Sequence, residues 1–380
     1  MQHLFLSLLK SELLGTPYHG EAPDSETQRR LFLLAKSQDL AHLIGASLSH
    51  AGLLTDEKAK AAFEGAGIKA LYRYTRLWHG YGLVTSLFEE AGIPFIPLKG
   101  ALLRHLYPKP EVRTSSDIDI LIPEERLEEA VTLLTERLGF LKRKSTYHDV
   151  NLVLGDAVNL ELHYNVLEDD ERLDPMLKRV WEYASPIEDG KSEHRLSPDY
   201  FAFHVVSHAA HHFLGGGCGV KPVLDLYFLR HSAGYEENAV RRLVKESDIE
   251  VFYDALCTLG EVWLGNTSHD GTTSAMEDFI LGGGAYGTVT NRAAVGANRK
   301  KASGLSYAMR RIFMPKKKLA RLYPVLNRHP VLLPVCQVRR WFRTLLRGRG
   351  KNAVRELSAN ATMPKEKRNA IKNLLIDLDL

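Results

Sequence analysis

The run Ser116-Asp117-Ile118-Asp119-Ile120-Leu121-Ile122 constrains the fold more than any other part of this chain. In an extended strand successive side chains alternate between faces. Asp117 and Asp119 therefore share one face, and Ile118, Ile120 and Ile122 share the other. The isoleucine face belongs in a core. The opposite face holds two carboxylates side by side, which raises the pKa of one of them unless a cation lies between. A divalent cation that prefers hard oxygen ligands, Mg²⁺ above all, is the simplest partner, and Mg²⁺ on such a pair usually accompanies a bound polyphosphate.

The surrounding pattern predicts a small sheet. Residues 93–98 are apolar and interrupted by Pro94 and Pro97, as at a sheet edge. Lys99-Gly100 leads into a short predicted helix over 101–107, stopped by Pro108 and Pro110. Pro123-Glu124-Glu125 opens a helix that runs to about Leu138 and stops at Gly139, with proline in the first turn and acids at the positive end of the dipole. Residues 140–145, 150–154 and 158–163 read as strands, the last two joined by a Gly155-Asp156 turn. Helical spacing of apolar residues covers 31–44, 72–91, 201–213 and 220–230, and continues near 331–346 and 364–376. The expected class is α+β: a small mixed β-sheet core with helices on one face, flanked by N- and C-terminal helical regions. The expected division is an N-terminal helical region (1–79), the core (80–170), a helical domain (171–264), a flexible loop rich in Gly, Thr, Ser and Asn (265–298) and a basic helical tail (299–380).

Charge is unevenly spread. The tail from 299 to 380 holds 21 Lys+Arg against 4 Asp+Glu, and the remainder holds 29 against 42. A basic appendage on an acidic body calls for an anionic partner: nucleic acid, a membrane surface or the body itself. Three separated cysteines, Cys218, Cys257 and Cys336, give neither a disulfide framework nor a cysteine zinc site and fit a reducing cytoplasm. No apolar run has membrane-spanning length. The expected location is cytoplasmic, with peripheral membrane attachment open to the tail.

Leu98-Lys99-Gly100, Arg113, Asp117-Ile118-Asp119 and Glu161-Leu162-His163 together resemble the polymerase-β-like nucleotidyltransferase superfamily, nearest to its bacterial branch of uncharacterised nucleotidyltransferase-family proteins. The resemblance covers about 93–165. The segment with His204, His208, His211, His212 and Asp225 resembles the region downstream of the core in that branch. The resemblance implies transfer of a nucleoside monophosphate from a nucleoside triphosphate to an acceptor hydroxyl with release of pyrophosphate, on Mg²⁺ or Mn²⁺. Such chemistry needs positioning and charge neutralisation more than covalent help. The resemblance also implies that Asp117, Asp119 and Glu161 hold the metal ions, with Glu161 serving the base role as well. Lys99 and Arg113 neutralise phosphate oxygens, Gly100 lets backbone approach them, Ser115 and Ser116 add donors, and His163 touches phosphate or acceptor. Ala101 stands where the superfamily usually has Ser or Gly, and 17 residues separate Gly100 from Asp117, which is longer than in many members.

Some readings stay open on the sequence. A small molecule, a sugar, a protein side chain or an RNA end could be the acceptor. A non-catalytic binding module acting through the basic tail, a phosphotransferase or hydrolase on the same site, and a toxin–antitoxin component that modifies tRNA or protein are the rival functions. The spaced histidines lie on one helical face. Packing against the active site is favoured for them over a zinc site completed by Asp225. The tail could lie on an anionic membrane, bind RNA, or pack its apolar side on the body.

Overall fold

The computed structural model describes residues 1–156, 158–285, 287–298, 313–346 and 363–380. Four helices open the chain: α1 (Gln2–Leu14), α2 (Ser25–Ser37), α3 (Ala41–His50) and α4 (Glu57–Glu90). Asp24 and Asp56 cap α2 and α4, each accepting a backbone N–H three residues on. The single helix expected over 31–44 is broken at Asp39, which takes a left-handed φ of 56°. That break turns the Asp39 carboxylate toward Arg73, Thr114 and Lys221.

The sheet comes next: β1 (Ile96–Pro97), a one-turn helix α5 (Gly100–Leu103), β2 (Ile118–Leu121), α6 (Leu127–Leu138), β3 (Leu141–Ser145), β4 (Asp149–Leu154) and β5 (Val158–His163). Its order is β1-β2-β5-β4-β3, with β2 and β5 parallel and the other pairs antiparallel. The proline-marked strand is at the edge, as its composition requires. Ile118, Ile120, Ile122, Leu152, Leu160 and Leu162 pack against α4 and α6 through Leu77, Val84, Phe88, Ala130 and Leu134. The opposite face is mixed. Leu121 enters a larger helical core, while Asp119 and Glu161 stay on a polar strip. Helices therefore pack on both faces of the sheet, more completely on the isoleucine face, and leave the edge strand β3 exposed.

Beyond the sheet come α7 (Asp174–Leu177), a small ladder of β6 (Ala184–Pro186) with β7 (His194–Leu196), α8 (Pro198–Leu214), α9 (Lys221–Arg230), α10 (Glu237–Glu246), α11 (Glu250–Trp263), α12 (Gly271–Gly283) and α13 (Val289–Asn298). Helices also span Lys316–Leu322, Leu333–Leu346 and Lys365–Asp377. One core joins α1–α3, α8–α12 and the last helix through residues such as Phe5, Ile44, Phe213, Tyr253, Ile280 and Leu374.

Two expectations fail here. The range 265–298, expected as a flexible loop, instead contains α12 and α13: Asp270 and Thr273 form a capping box, and Met276, Phe279 and Ile280 drive α12 into the core. The Gly and Thr content conceals an apolar helical spacing. The boundary drawn at 79/80 falls inside α4, a single helix that serves both the N-terminal bundle and the sheet. Part of the tail expected at 299–380 lies outside the described residues. Its last helix is docked on the body through Ile371, Leu374 and Leu375.

Candidate active site

The strand register builds the site. Asp119 on β2 stands opposite Glu161 on the parallel β5, and Glu161 stands opposite Asn151 on β4. The row lies on the face away from the isoleucines. His163 reaches back from the next row, placing Nε2 3.0 Å from Asp119 Oδ1 and 3.8 Å from Glu161 Oε2. Among the described residues, Asp119, Glu161 and His163 each bring one ligand atom to within 4.8 Å of the others. Behind them His148 stacks on His163 with ring centroids 5.9 Å apart, and Asp149 accepts from Thr146 and lies beside His148.

Asp117 is outside that group. It precedes β2 in a bend, and its two oxygens accept from Ser115 Oγ at 3.2 Å and Ser116 Oγ at 3.0 Å. Both serines thus serve Asp117 here and orient it. Lys99 sits at the start of α5 with φ 35°, an unfavourable conformation for a residue with a Cβ. Leu98 N–H donating to Asp119 O helps hold it there. Its Nζ lies 3.7 Å from Asp119 Oδ1.

These distances set the protonation pattern. Burial pushes the Asp119 carboxyl up, but Lys99 and then His163 outweigh it and hold the group well below the usual carboxylate range. Burial and the neighbouring Asp119 push Asp117 up. Burial, Asp119 and Asp117 push Glu161 up to about 7. Three carboxylates facing one lysine leave an excess of negative charge, and Glu161 absorbs it by keeping its proton. Two hard carboxylates with an imidazole beside them suit Mg²⁺ or Mn²⁺, and a bound cation removes the repulsion that raises Glu161.

Arg113 and Gly100 have structural partners. Arg113 Nε and Nη2 donate to Asp225 Oδ1 and Oδ2 at 3.0 and 2.7 Å, and Tyr107 OH donates to Asp225 Oδ1 at 2.7 Å. Burial lowers the Arg113 pKa, but Asp225 more than reverses this. Asp225 does not complete a histidine site, because it is spent on Arg113 and Tyr107. A Cβ on Gly100 would stand 2.9 Å from Ser115 Oγ and 3.1 Å from Arg113 Nη1, so the glycine makes room for the 113–115 loop. Lys221 fastens the same loop by donating to Thr114 O and Oγ1 and to Asp39.

The α8 histidines form a second layer. Glu168 receives His208 Nδ1 at 2.8 Å and His211 Nδ1 at 3.2 Å, and His212 Nε2 lies 2.9 Å from His208 Nε2. Burial and then Lys99 lower the pKa of His204 to about 3 and of His212 to about 4, with Asp119 pulling the other way. The helix therefore lies within electrostatic reach of the site. No sequence pattern marks Glu168, Lys221 or Asp39, since each acts through partners 34 to 182 residues distant.

Residues 24–265 match the model of a family described as uncharacterised nucleotidyltransferase. No curated protein and no solved structure matches the chain. Among the described residues no helix is long and apolar enough to cross a membrane. With more than half of its length matched, the chain belongs to this nucleotidyltransferase family and is a transferase enzyme.

Proposed function

We propose that the protein moves a nucleoside monophosphate from a nucleoside triphosphate to an acceptor hydroxyl and releases pyrophosphate, using Mg²⁺ or Mn²⁺, as a member of the polymerase-β-like superfamily. The observation that carries this reading is the placement of Asp119 and Glu161 opposite each other on adjacent parallel strands, with Asp117 two residues before Asp119. Asp117, Asp119 and Glu161 would hold the cations, which would supply neutralisation of charge on the transferring phosphoryl group. Ser115 and Ser116 aim Asp117. His163 and Lys99 keep Asp119 ionised. Glu161, which a bound cation would return to its ionised form, is the carboxylate that would receive the proton of the attacking hydroxyl. Lys99 faces the phosphate side. Arg113, gripped by Asp225, fixes the loop that carries the serines and turns Nη1 toward Gly100. The α8 histidines and Glu168 line the acceptor side.

The transfer unit is the sheet with α4 and α6, about 80–170, and the helices from 171 onward support it. The acceptor is a small molecule, sugar, protein or RNA end, and the basic tail meets an anionic partner. The cytoplasm is its proposed location. The test is incubation of the full chain with each α-labelled triphosphate, Mg²⁺ or Mn²⁺ and a cell extract. A labelled component together with pyrophosphate supports transfer. Phosphate release marks a hydrolase or phosphotransferase, a labelled tRNA or partner protein marks a toxin–antitoxin role, and no triphosphate binding leaves a non-catalytic module.

A further inference from the structure

Arg104 is a buried cation with no anion beside it among the described residues. It follows α5 in the 3₁₀ turn Arg104–Leu106, and only 4% of the residue is exposed. Its Nε donates to Gly100 O at 2.7 Å, and its guanidinium lies 5.4 and 5.9 Å from the ring centroids of Tyr74 and Trp78. Among the described residues no carboxylate comes within 4.0 Å of it, and its two terminal nitrogens make no hydrogen bond. Those nitrogens are not sealed from solvent. Arg104 lines a narrow recess together with Trp78, Tyr81, Ala101 and Asp117. Burial and the nearby Arg113 lower the Arg104 pKa to about 10, the mark of an uncompensated charge. A desolvated guanidinium is retained at a cost to stability, and its rings repay only part of it. Its planar fork matches phosphate oxygens. Ala101, one turn earlier on the same wall, brings no side-chain donor.

We propose that Arg104 binds the triphosphate tail of the nucleotide from the Asp117 side, with Tyr74 and Trp78 holding the fork in place. This rests on the transferase reading. The experiment is calorimetric titration of the full chain with Mg²⁺–ATP, tripolyphosphate and AMP, beside thermal melting without ligand. For Arg104→Met the expected result is roughly 10- to 100-fold weaker ATP and tripolyphosphate binding. AMP should be little changed, and the melting temperature equal or higher. Arg104→Lys should recover part of the affinity. Unchanged ATP affinity in Arg104→Met overturns the assignment, as does a lower melting temperature with ATP and AMP weakened alike. Wild-type chain that binds no triphosphate with Mg²⁺ or Mn²⁺ overturns the transferase reading itself, and this role with it.

A separate observation concerns the tail. From Arg299 to Arg355 there are 17 Lys and Arg and no Asp or Glu. Within this stretch the helix Leu333–Leu346 buries Cys336 and Gln337 against a small cluster with Leu319 and Leu326, and leaves Val335, Val338 and Phe342 at 62%, 43% and 62% exposure. These fall at i, i+3 and i+7, one outward stripe bordered by Arg339 and Arg343. Val331, 83% exposed, lies just before it. Phosphate contacts account for the arginines, but exposed valines at 331, 335 and 338 beside Phe342 offer nothing to a phosphate and need an apolar partner beneath an anionic surface. We infer that this helix lies on an anionic lipid bilayer. The test is flotation of the full chain with vesicles of phosphatidylcholine alone or mixed with phosphatidylglycerol. Binding is expected only to the mixture, lost in the Val335→Ser, Val338→Ser, Phe342→Ser triple variant and weakened roughly 30-fold in the Arg339→Gln, Arg343→Gln double variant. Equal flotation of the triple variant overturns the inference. So does absence of flotation, including the case where the tail captures a single-stranded RNA oligonucleotide instead.

Discussion

Glu161→Gln should abolish transfer and yet stabilise the metal-free protein above neutral pH. The Glu161 carboxyl ionises at 4.5 when unperturbed and is pushed up to about 7 in the fold, because burial, Asp119 and Asp117 all disfavour its charge. Between those values the folded state holds a proton that the unfolded state has lost. Stability therefore falls as pH rises through this window, and above it the whole penalty is present. At about 1.4 kcal/mol per pKa unit the penalty comes to roughly 3 kcal/mol. The side chain is 34% exposed, so water screens part of the repulsion and about 1–2 kcal/mol is a fair expectation. Glutamine keeps the shape and carries no charge. Urea unfolding in EDTA at pH 5 and pH 8 is the assay. Wild type should lose stability between the two relative to Glu161→Gln, by about 1–2 kcal/mol. Added Mg²⁺ or Mn²⁺ should restore wild type and leave the variant nearly unchanged. Equal pH dependence in the two proteins would refute the clustering of like charges on which the site rests.

Asp117→Asn and Asp119→Asn should each lower turnover by at least about a hundredfold while far-ultraviolet circular dichroism stays native, checked by pyrophosphate release. Asp225→Ala should destabilise by about 3–5 kcal/mol, because it strands the buried Arg113, and Arg113→Met added to it should recover part of the loss; denaturant midpoints decide this. Gly100→Ala should lose about 1–3 kcal/mol and reduce triphosphate affinity, since the new methyl displaces Ser115 and Arg113; melting and titration check both.

Much of this fold is legible in the sequence because strand alternation is local. Ile118, Ile120 and Ile122, and Leu160 with Leu162, announce which face is buried, and the acids between them announce the other. The misreading of α12 has a physical origin: glycine and threonine content lowers helix propensity, but Asp270 capping and the burial of Met276, Phe279 and Ile280 override it. Asp39 is invisible as a breaker because its left-handed conformation serves Lys221 and Arg73, far away in sequence. The same holds for Arg113. Its charge points to phosphate, and only the third dimension brings Asp225 to it across 112 residues. Pairings of that kind carry no periodicity, so sequence patterns do not reveal them.

The most direct measurement is Mn²⁺ binding to the full chain by electron paramagnetic resonance, with and without a nucleoside triphosphate. Wild type should take up Mn²⁺ more tightly in the presence of the triphosphate, and Asp119→Asn and Glu161→Gln should both lose that uptake. Binding that is indifferent to both substitutions would contradict a cation held between β2 and β5.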